Sequence, residues 1–355
     1  MDALKRSRCL VVGGAGFVGS NLIQLLLDHE CEGVTIVDNF LSAERFNVPD
    51  DPRVDLREGS IADDTILTSL RDKFDYVFHL ATYHGNQSSI ANPLEDHANN
   101  LITTLKLYER MKNFRRVKKL VYAASGCTLA PHTYGSAQPT TEDGPVPIEL
   151  DSPYQISKVV GEFYSVYYHH QHGLPTVRAR FQNVYGPREI LGAGRWRGTP
   201  ATVWRNVTPA FIYRALKKMP LRVENHGRAS RDFIYVEDIA RGLVACASAG
   251  KAGEVYNLAS GVETSILDLA RSINKLTGNS ADIEFLSERP WDRSGKRFGS
   301  TEKAKREIGF EVRTDLLDGL SKTIEWTTQN LSAIDGCIQK HDSQIKNFVA
   351  DNDRR

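Results

Sequence analysis

The sequence predicts an α/β protein built on a doubly wound parallel sheet, and three observations carry that prediction. Short apolar runs alternate with helix-periodic segments through the first half of the chain. A glycine-rich turn joins the first run to the first helix. An acidic residue ends the second run, about 20 residues after the glycines.

Cys9-Leu-Val-Val12 is apolar throughout and suits a strand buried on both faces. It passes into Gly13-Gly-Ala-Gly-Phe-Val-Gly19, after which Leu22, Ile23, Leu25, Leu26 and Leu27 keep helical spacing. Glycines let the backbone turn tightly and approach a pyrophosphate, whose charge is stabilised by free N–H groups and the positive end of the helix. Val34-Thr-Ile-Val37 predicts a second strand, and Asp38 at its end can accept hydrogen bonds from an adenosine ribose. A carboxylate there repels a 2′-phosphate, so the expected cofactor is NAD rather than NADP.

Asp75 to Ala81 reads as a strand, Asn99 to Met111 as a helix, and Lys118 to Ser125 as a further strand running into Gly126. Ligands of such sheets lie at the carboxyl ends of the strands, where Ser125 and His79 both fall. His79 reads more naturally as a hydrogen-bonded packing residue. Ser152-Pro-Tyr-Gln-Ile-Ser-Lys158 then places Tyr154 and Lys158 one turn apart at the start of a helix that Gly173-Leu-Pro175 stops. A phenol keeps its proton to about pH 10, but a nearby ammonium favours the phenolate, so the pair can act as an acid/base.

Arg188 to Asn206 is long, poor in apolar runs and rich in Gly, Arg and Trp; it reads as either a surface insertion or a substrate lid. Val207 to Leu216 reads as a helix, Asp232 to Val236 as a strand, Asp238 to Ala249 as a helix and Val255 to Asn257 as a strand. From Ser332 the chain is polar, with Ile345, Phe348 and Val349 in weak register, and predicts a short helix that frays.

Composition narrows the function. The 355 residues are 41% hydrophobic and 25% charged, as in soluble globular proteins. Lys plus Arg (45) balance Asp plus Glu (44), so no overall field draws nucleic acid or an anionic membrane. Five scattered cysteines without metal-ligand spacing fit reduced thiols in a cytoplasmic protein, with no disulfide and no metal site expected. The apolar run after the basic residues Met1 to Arg8 is short and broken by glycine, so neither a signal peptide nor a membrane span is expected.

From about Cys9 to about Trp326 the chain resembles the extended short-chain dehydrogenase/reductase superfamily, in particular its NAD-dependent nucleotide-sugar epimerases and dehydratases. The resemblance rests on Gly13-x-x-Gly16-x-x-Gly19, Asp38, His79-Leu-Ala81, Asn99, Ser125, Tyr154-x-x-x-Lys158, Asn183-Val-Tyr-Gly-Pro187, Arg231-Asp-Phe-Ile-Tyr-Val-Glu-Asp238 and Arg289-Pro290. It implies a Rossmann-type domain over residues 1–186, to which 237–260 return. A smaller, discontinuous substrate domain would comprise 187–236 and 261–330, followed by a polar tail at 331–355.

The resemblance also implies roles. Tyr154 would be the catalytic acid/base, Lys158 would hold the nicotinamide ribose and lower the phenol pKa, and Ser125 would bond the reacting sugar oxygen. Gly13, Gly16, Phe17, Val18 and Gly19 would cradle the cofactor, with Asp38 and Asn39 on its ribose. Ser60 and Ile61 would face the adenine, and Leu80, Ala81 and Asn99 would complete the cleft. Asn183, Asn206, Arg231 and Arg289 would join Ser125 in holding a nucleoside-diphosphate sugar. Ser60 stands where relatives carry an acid, and Gly126-Cys127 where dehydratases carry an Asp-Glu pair. Thr128 is a weaker hydroxyl candidate than Ser125. The expected activity is inversion at C4 through a 4-keto sugar; a 4-ketosugar reductase and a non-catalytic NAD-binding regulator remain open. Apolar residues on more than one stripe of the Tyr154 helix lead to the expectation of a homodimer.

Overall fold

In the computed structural model, which describes residues 4–126, 134–289, 292 and 295–352, the apolar runs become strands of one parallel sheet. Its first elements are β1 (Arg8–Val12), α1 (Phe17–Asp28), β2 (Gly33–Asp38), β3 (Val54–Glu58), α2 (Asp64–Ser69) and β4 (Tyr76–His79). Then come α3 (Asn86–Ala91), α4 (Pro93–His97), α5 (Thr103–Met111), β5 (Lys119–Ser125), α6 (Pro153–His172) and β6 (Thr176–Phe181). The chain continues through β7 (Asn183–Tyr185), α7 (Ala201–Trp204), α8 (Val207–Leu216), β8 (Leu221–Glu224) and β9 (Ser230–Tyr235). Next are α9 (Val236–Ser248), β10 (Val255–Leu258), β11 (Glu263–Ser265), α10 (Ile266–Thr277) and β12 (Ile283–Leu286). The last helices are α11 (Glu302–Ile308), α12 (Leu316–Gln329), α13 (Leu331–Gln339) and α14 (Asp342–Asn352).

The seven-stranded sheet has the order β10-β6-β5-β4-β1-β2-β3, with every neighbour parallel. The central strands β1 and β4 are buried without alternation over Cys9–Val12 and Tyr76–His79 because both faces are covered, whereas the edge strand β3 carries Asp55, Arg57 and Glu58. Cys9 and Val11 face a core completed by α1 and α9, whereas Leu10 and Val12 face one completed by α5 and α6. Ser152 caps α6 by accepting a hydrogen bond from Gln155 N, and Gly173 ends the helix at φ +66°, a left-handed conformation that costs glycine little. A second sheet, β11-β9-β7, and the pair β12-β8 pack against α8, α10 and α12.

The structure departs from the sequence reading in three places. β7 lies before residue 186 but belongs to the second sheet: after Gln182 N bonds Leu258 O, the chain leaves the first sheet and Asn183 pairs with Phe233. The helix expected from Asn99 opens with a π turn over Ala98–Ile102. Residues from Leu331 do not form a fraying tail. Ile334, Cys337 and Ile338, spaced for one helix face, are buried against Ile190, Leu191, Ala193 and Val203, with Trp196 and Trp204 packed around them. Asp353, Arg354 and Arg355 of that tail lie outside the described residues. No helix among the described residues is long and apolar enough to cross a membrane.

Candidate active site

The sheet order places a crevice at the carboxyl ends of β1 and β4, where the crossovers part to either side. The glycine turn occupies the end of β1. Gly13 has φ +86°, and a Cβ there would lie 2.5 Å from Ala81 N, so only glycine fits. A Cβ at Gly19 would meet Gly13 O at 2.3 Å, so the third glycine lets α1 pack against the turn. Gly16 precedes α1, no side chain caps that helix, and its first turn, with Phe17 and Val18, presents backbone donors and the positive helix end. This cradle fits the pyrophosphate of a dinucleotide.

Asp38 ends β2 and is buried; its carboxylate accepts from Ala15 N and Phe40 N, each at 2.9 Å. Burial raises its pKa while these backbone bonds oppose the rise. A carboxylate has lone pairs beyond two such bonds, which leaves it able to accept from a ribose. Asn39 orders the same loop by accepting from Leu41 N at 3.0 Å. Ser60 and Ile61 follow β3, with Ser60 Oγ accepting from Ala62 N. Leu80 and Ala81 line the end of β4, both donating to Val12 O at 2.8 Å. His79 is buried with Nε2 2.9 Å from Thr104 Oγ1, and burial pushes its pKa down to about 3, as suits a packing residue.

Across the crevice, α6 projects Tyr154 and Lys158 from one face. Lys158 Nζ donates to Ala123 O at 2.9 Å and lies 5.8 Å from the centroid of the Tyr154 ring. Ser125 stands at the end of β5, two residues after the Ala123 that anchors Lys158, and is buried. The structure adds His84, whose ring meets Tyr154 edge-on at 5.9 Å between centroids. Its pKa is pushed down to about 3 by burial, then by Arg197, Arg205 and Lys158, so it is a neutral imidazole able to accept a hydrogen bond but not to hold a proton at neutral pH. No pattern in the chain marks it, because it follows β4 in a loop.

Asn99 and Asn100 divide differently from the sequence expectation. Asn99 turns its amide back to Glu95, whereas buried Asn100 accepts from Tyr83 N at 2.7 Å and donates to Asp96 Oδ1 and Ser157 Oγ. It thereby ties the His84 loop to α6. The remaining substrate candidates lie towards the second sheet. Asn183 begins β7, and Asn206 precedes α8 with its amide 2.5 Å from Glu189 Oε1. Arg231 is buried, donates to Ser230 O and Gly295 O, and pairs with Asp292; Arg289 pairs with Glu224. Cys127, Thr128 and Pro290 lie outside the described residues.

A sequence profile of the NAD dependent epimerase/dehydratase family matches residues 9–259, which contain the glycine turn, Asp38 and the Tyr154–Lys158 pair. This chain belongs to that family. NAD is accordingly its cofactor. Among solved structures, it is 59% identical to the Bordetella bronchiseptica enzyme WbmF in complex with NAD+ and UDP, covering 98% of this chain and 99% of that one at a TM-score of 0.88. The UDP-glucose 4-epimerase of Mycolicibacterium smegmatis is 30% identical over 90% of this chain and 98% of its own length. The chain spans about half (48%) of a longer relative, 26% identical over 92% of this chain: a trifunctional Arabidopsis thaliana UDP-glucose 4,6-dehydratase/UDP-4-keto-6-deoxy-D-glucose 3,5-epimerase/UDP-4-keto-L-rhamnose-reductase. The matched relatives include a 4-epimerase and a multifunctional dehydratase/epimerase/reductase, so membership of the family does not by itself name the reaction.

Proposed function

We propose that the protein is an epimerase of a uridine-diphosphate sugar, inverting C4 of a hexose or uronic acid through a transient 4-keto sugar. The observation that carries this reading is the pairing of Tyr154 with Lys158 one helical turn apart, with Lys158 anchored on Ala123 O of the strand that ends at Ser125. NAD, when bound, would supply the reversible hydride chemistry that a transient 4-keto sugar requires. Tyr154 takes the proton of the sugar 4-hydroxyl and later gives it back. Lys158 holds the nicotinamide ribose and favours the phenolate. Ser125 bonds the reacting oxygen, and Arg231 and Arg289, already oriented by Asp292 and Glu224, meet the diphosphate with their planar forks. The UDP named with WbmF and the UDP-glucose epimerase relatives support uridine as the nucleoside.

Gly126 speaks against elimination. Dehydratases of the type this chain resembles carry an acid at that position, whereas Gly126 has no side chain to donate a proton, and the movable amide of Gln182 lies beside it. The test is incubation of the holoenzyme with a panel of UDP-sugars, followed by NMR. The expected product is a C4 epimer with no net change in reduced cofactor. Stoichiometric consumption of NADH would identify a ketoreductase. A new C6 methyl signal would identify a dehydratase and overturn the reading.

A further inference from the structure

The 188–206 segment carries a cation whose charge no carboxylate among the described residues neutralises. Arg197 is 3% exposed, yet it forms no ion pair with a carboxylate among the described residues. Its Nη1 donates to Ser42 Oγ at 2.5 Å, its guanidinium carbon sits 5.7 Å from the centre of the Tyr83 ring, and its Nε has no hydrogen-bond partner among the described residues. Burial, with Arg205 nearby, pushes its pKa down to about 10, which still leaves it charged at neutral pH. A buried, charged group is costly unless a counter-charge meets it.

Topology says where that counter-charge belongs. Ser42 follows β2, Tyr83 follows β4, and in the sheet β1 stands between these two strands. Arg197 therefore reaches the loops on both sides of the glycine turn that follows β1. Its backbone is held in place: Arg197 N donates to Thr202 Oγ1 at 2.9 Å, and Arg197 O accepts from Asn92 Nδ2 at 2.8 Å. The segment is tied to the loop after Asp38, with Arg195 N donating to Leu41 O and Gly194 N to Glu44 Oε1, both at 3.0 Å. From outside, α13 packs on it so closely that a Cβ at Gly192 would lie 2.4 Å from Cys337 O.

We propose that Arg197 is a cofactor-binding residue whose guanidinium faces the NAD pyrophosphate across from the glycine turn, making the 188–206 segment a fixed outer wall of the NAD site. The segment is then neither a surface insertion nor a substrate lid. The helix end and the guanidinium approach the same anion from opposite sides, so cofactor once bound leaves slowly. The inference rests on NAD as cofactor and holds whichever sugar is turned over.

The test replaces Arg197 with methionine (R197M), which keeps much of the length and removes the charge. Holoenzyme as purified is mixed with isotopically labelled NAD, and exchange is followed by mass spectrometry after denaturation; UDP affinity is measured by calorimetry on the same samples. Exchange in R197M is expected to be at least about tenfold faster than in the wild type, the scale of one charge-assisted hydrogen bond, with UDP affinity unchanged. Unchanged exchange, or a loss confined to UDP, overturns the proposal. Thermal unfolding after removal of NAD separates binding from structure. R197M should then melt no lower than wild type, because an uncompensated buried charge has been removed, whereas a lower melting temperature would make Arg197 a structural residue and also overturn it.

Discussion

Lys158 stands one helical turn after Tyr154, its ammonium 5.8 Å from the phenol ring centroid and anchored on Ala123 O at 2.9 Å. The anchor fixes the charge at the end of β5 rather than leaving it to solvent, so the same strand that presents Ser125 also positions the cation beside the phenol. Tyr154→Phe keeps the ring and removes the hydroxyl. Turnover should fall by at least about a hundredfold, the usual scale of general acid–base catalysis, while NAD content after denaturation stays at the wild-type level. Turnover near wild type in this variant would refute the acid/base role.

The choice of cofactor turns on Asp38. Its carboxylate is held by Ala15 N and Phe40 N, so it cannot swing away from a ribose phosphate. NADP should therefore bind at least about tenfold more weakly than NAD, the cost of bringing two anions together at an enclosed site. Titration of NAD-depleted protein with each dinucleotide checks this; comparable affinities would show that the phosphate escapes the carboxylate.

Glu189 makes stability depend on pH. Burial raises its carboxyl to about 7 from the ordinary 4.5, against the opposing influence of Asn206 and Arg205. The folded state thus holds a proton that the unfolded chain releases, and stability falls as pH rises from about 4.5 through 7. Glu189→Gln removes that loss, flattening denaturant-derived stability across this window by up to about 3 kcal/mol. An identical pH profile in the variant would mean the carboxyl titrates normally.

The α6 surface points to a twofold dimer. Ile156, Phe163 and Tyr167 are 50%, 60% and 51% exposed along one stripe, more apolar surface than an isolated helix face leaves in water without cause. Light scattering at micromolar concentration should give twice the chain mass, and Phe163→Asp should halve it. A monomeric wild type would leave that stripe unexplained and the dimer refuted.

Much of the fold was legible in the chain because its signals are local. Unbroken apolar runs demanded strands covered on both faces, three glycines demanded a tight turn at the first strand, and four-residue spacing put Tyr154 and Lys158 on one helix face whatever lay around them. Pro153 and Gly173 marked the ends of that helix by their own backbone preferences. What tertiary structure alone decided is the company these groups keep. His84 reaches Tyr154, and Asn100 rather than Asn99 joins the β4 loop to α6, because loops take their course from the elements they pack between and carry no periodicity of their own. The polar composition after Ser332 hid Ile334, Cys337 and Ile338, whose burial depends on a partner nearly 150 residues earlier, and Arg197 could be seen as a buried cation only once folding set it against Ser42 and Tyr83. Local spacing sets backbone conformation and side-chain direction within a turn or two; burial and counter-charge are properties of surfaces brought together by folding, and no residue states them alone.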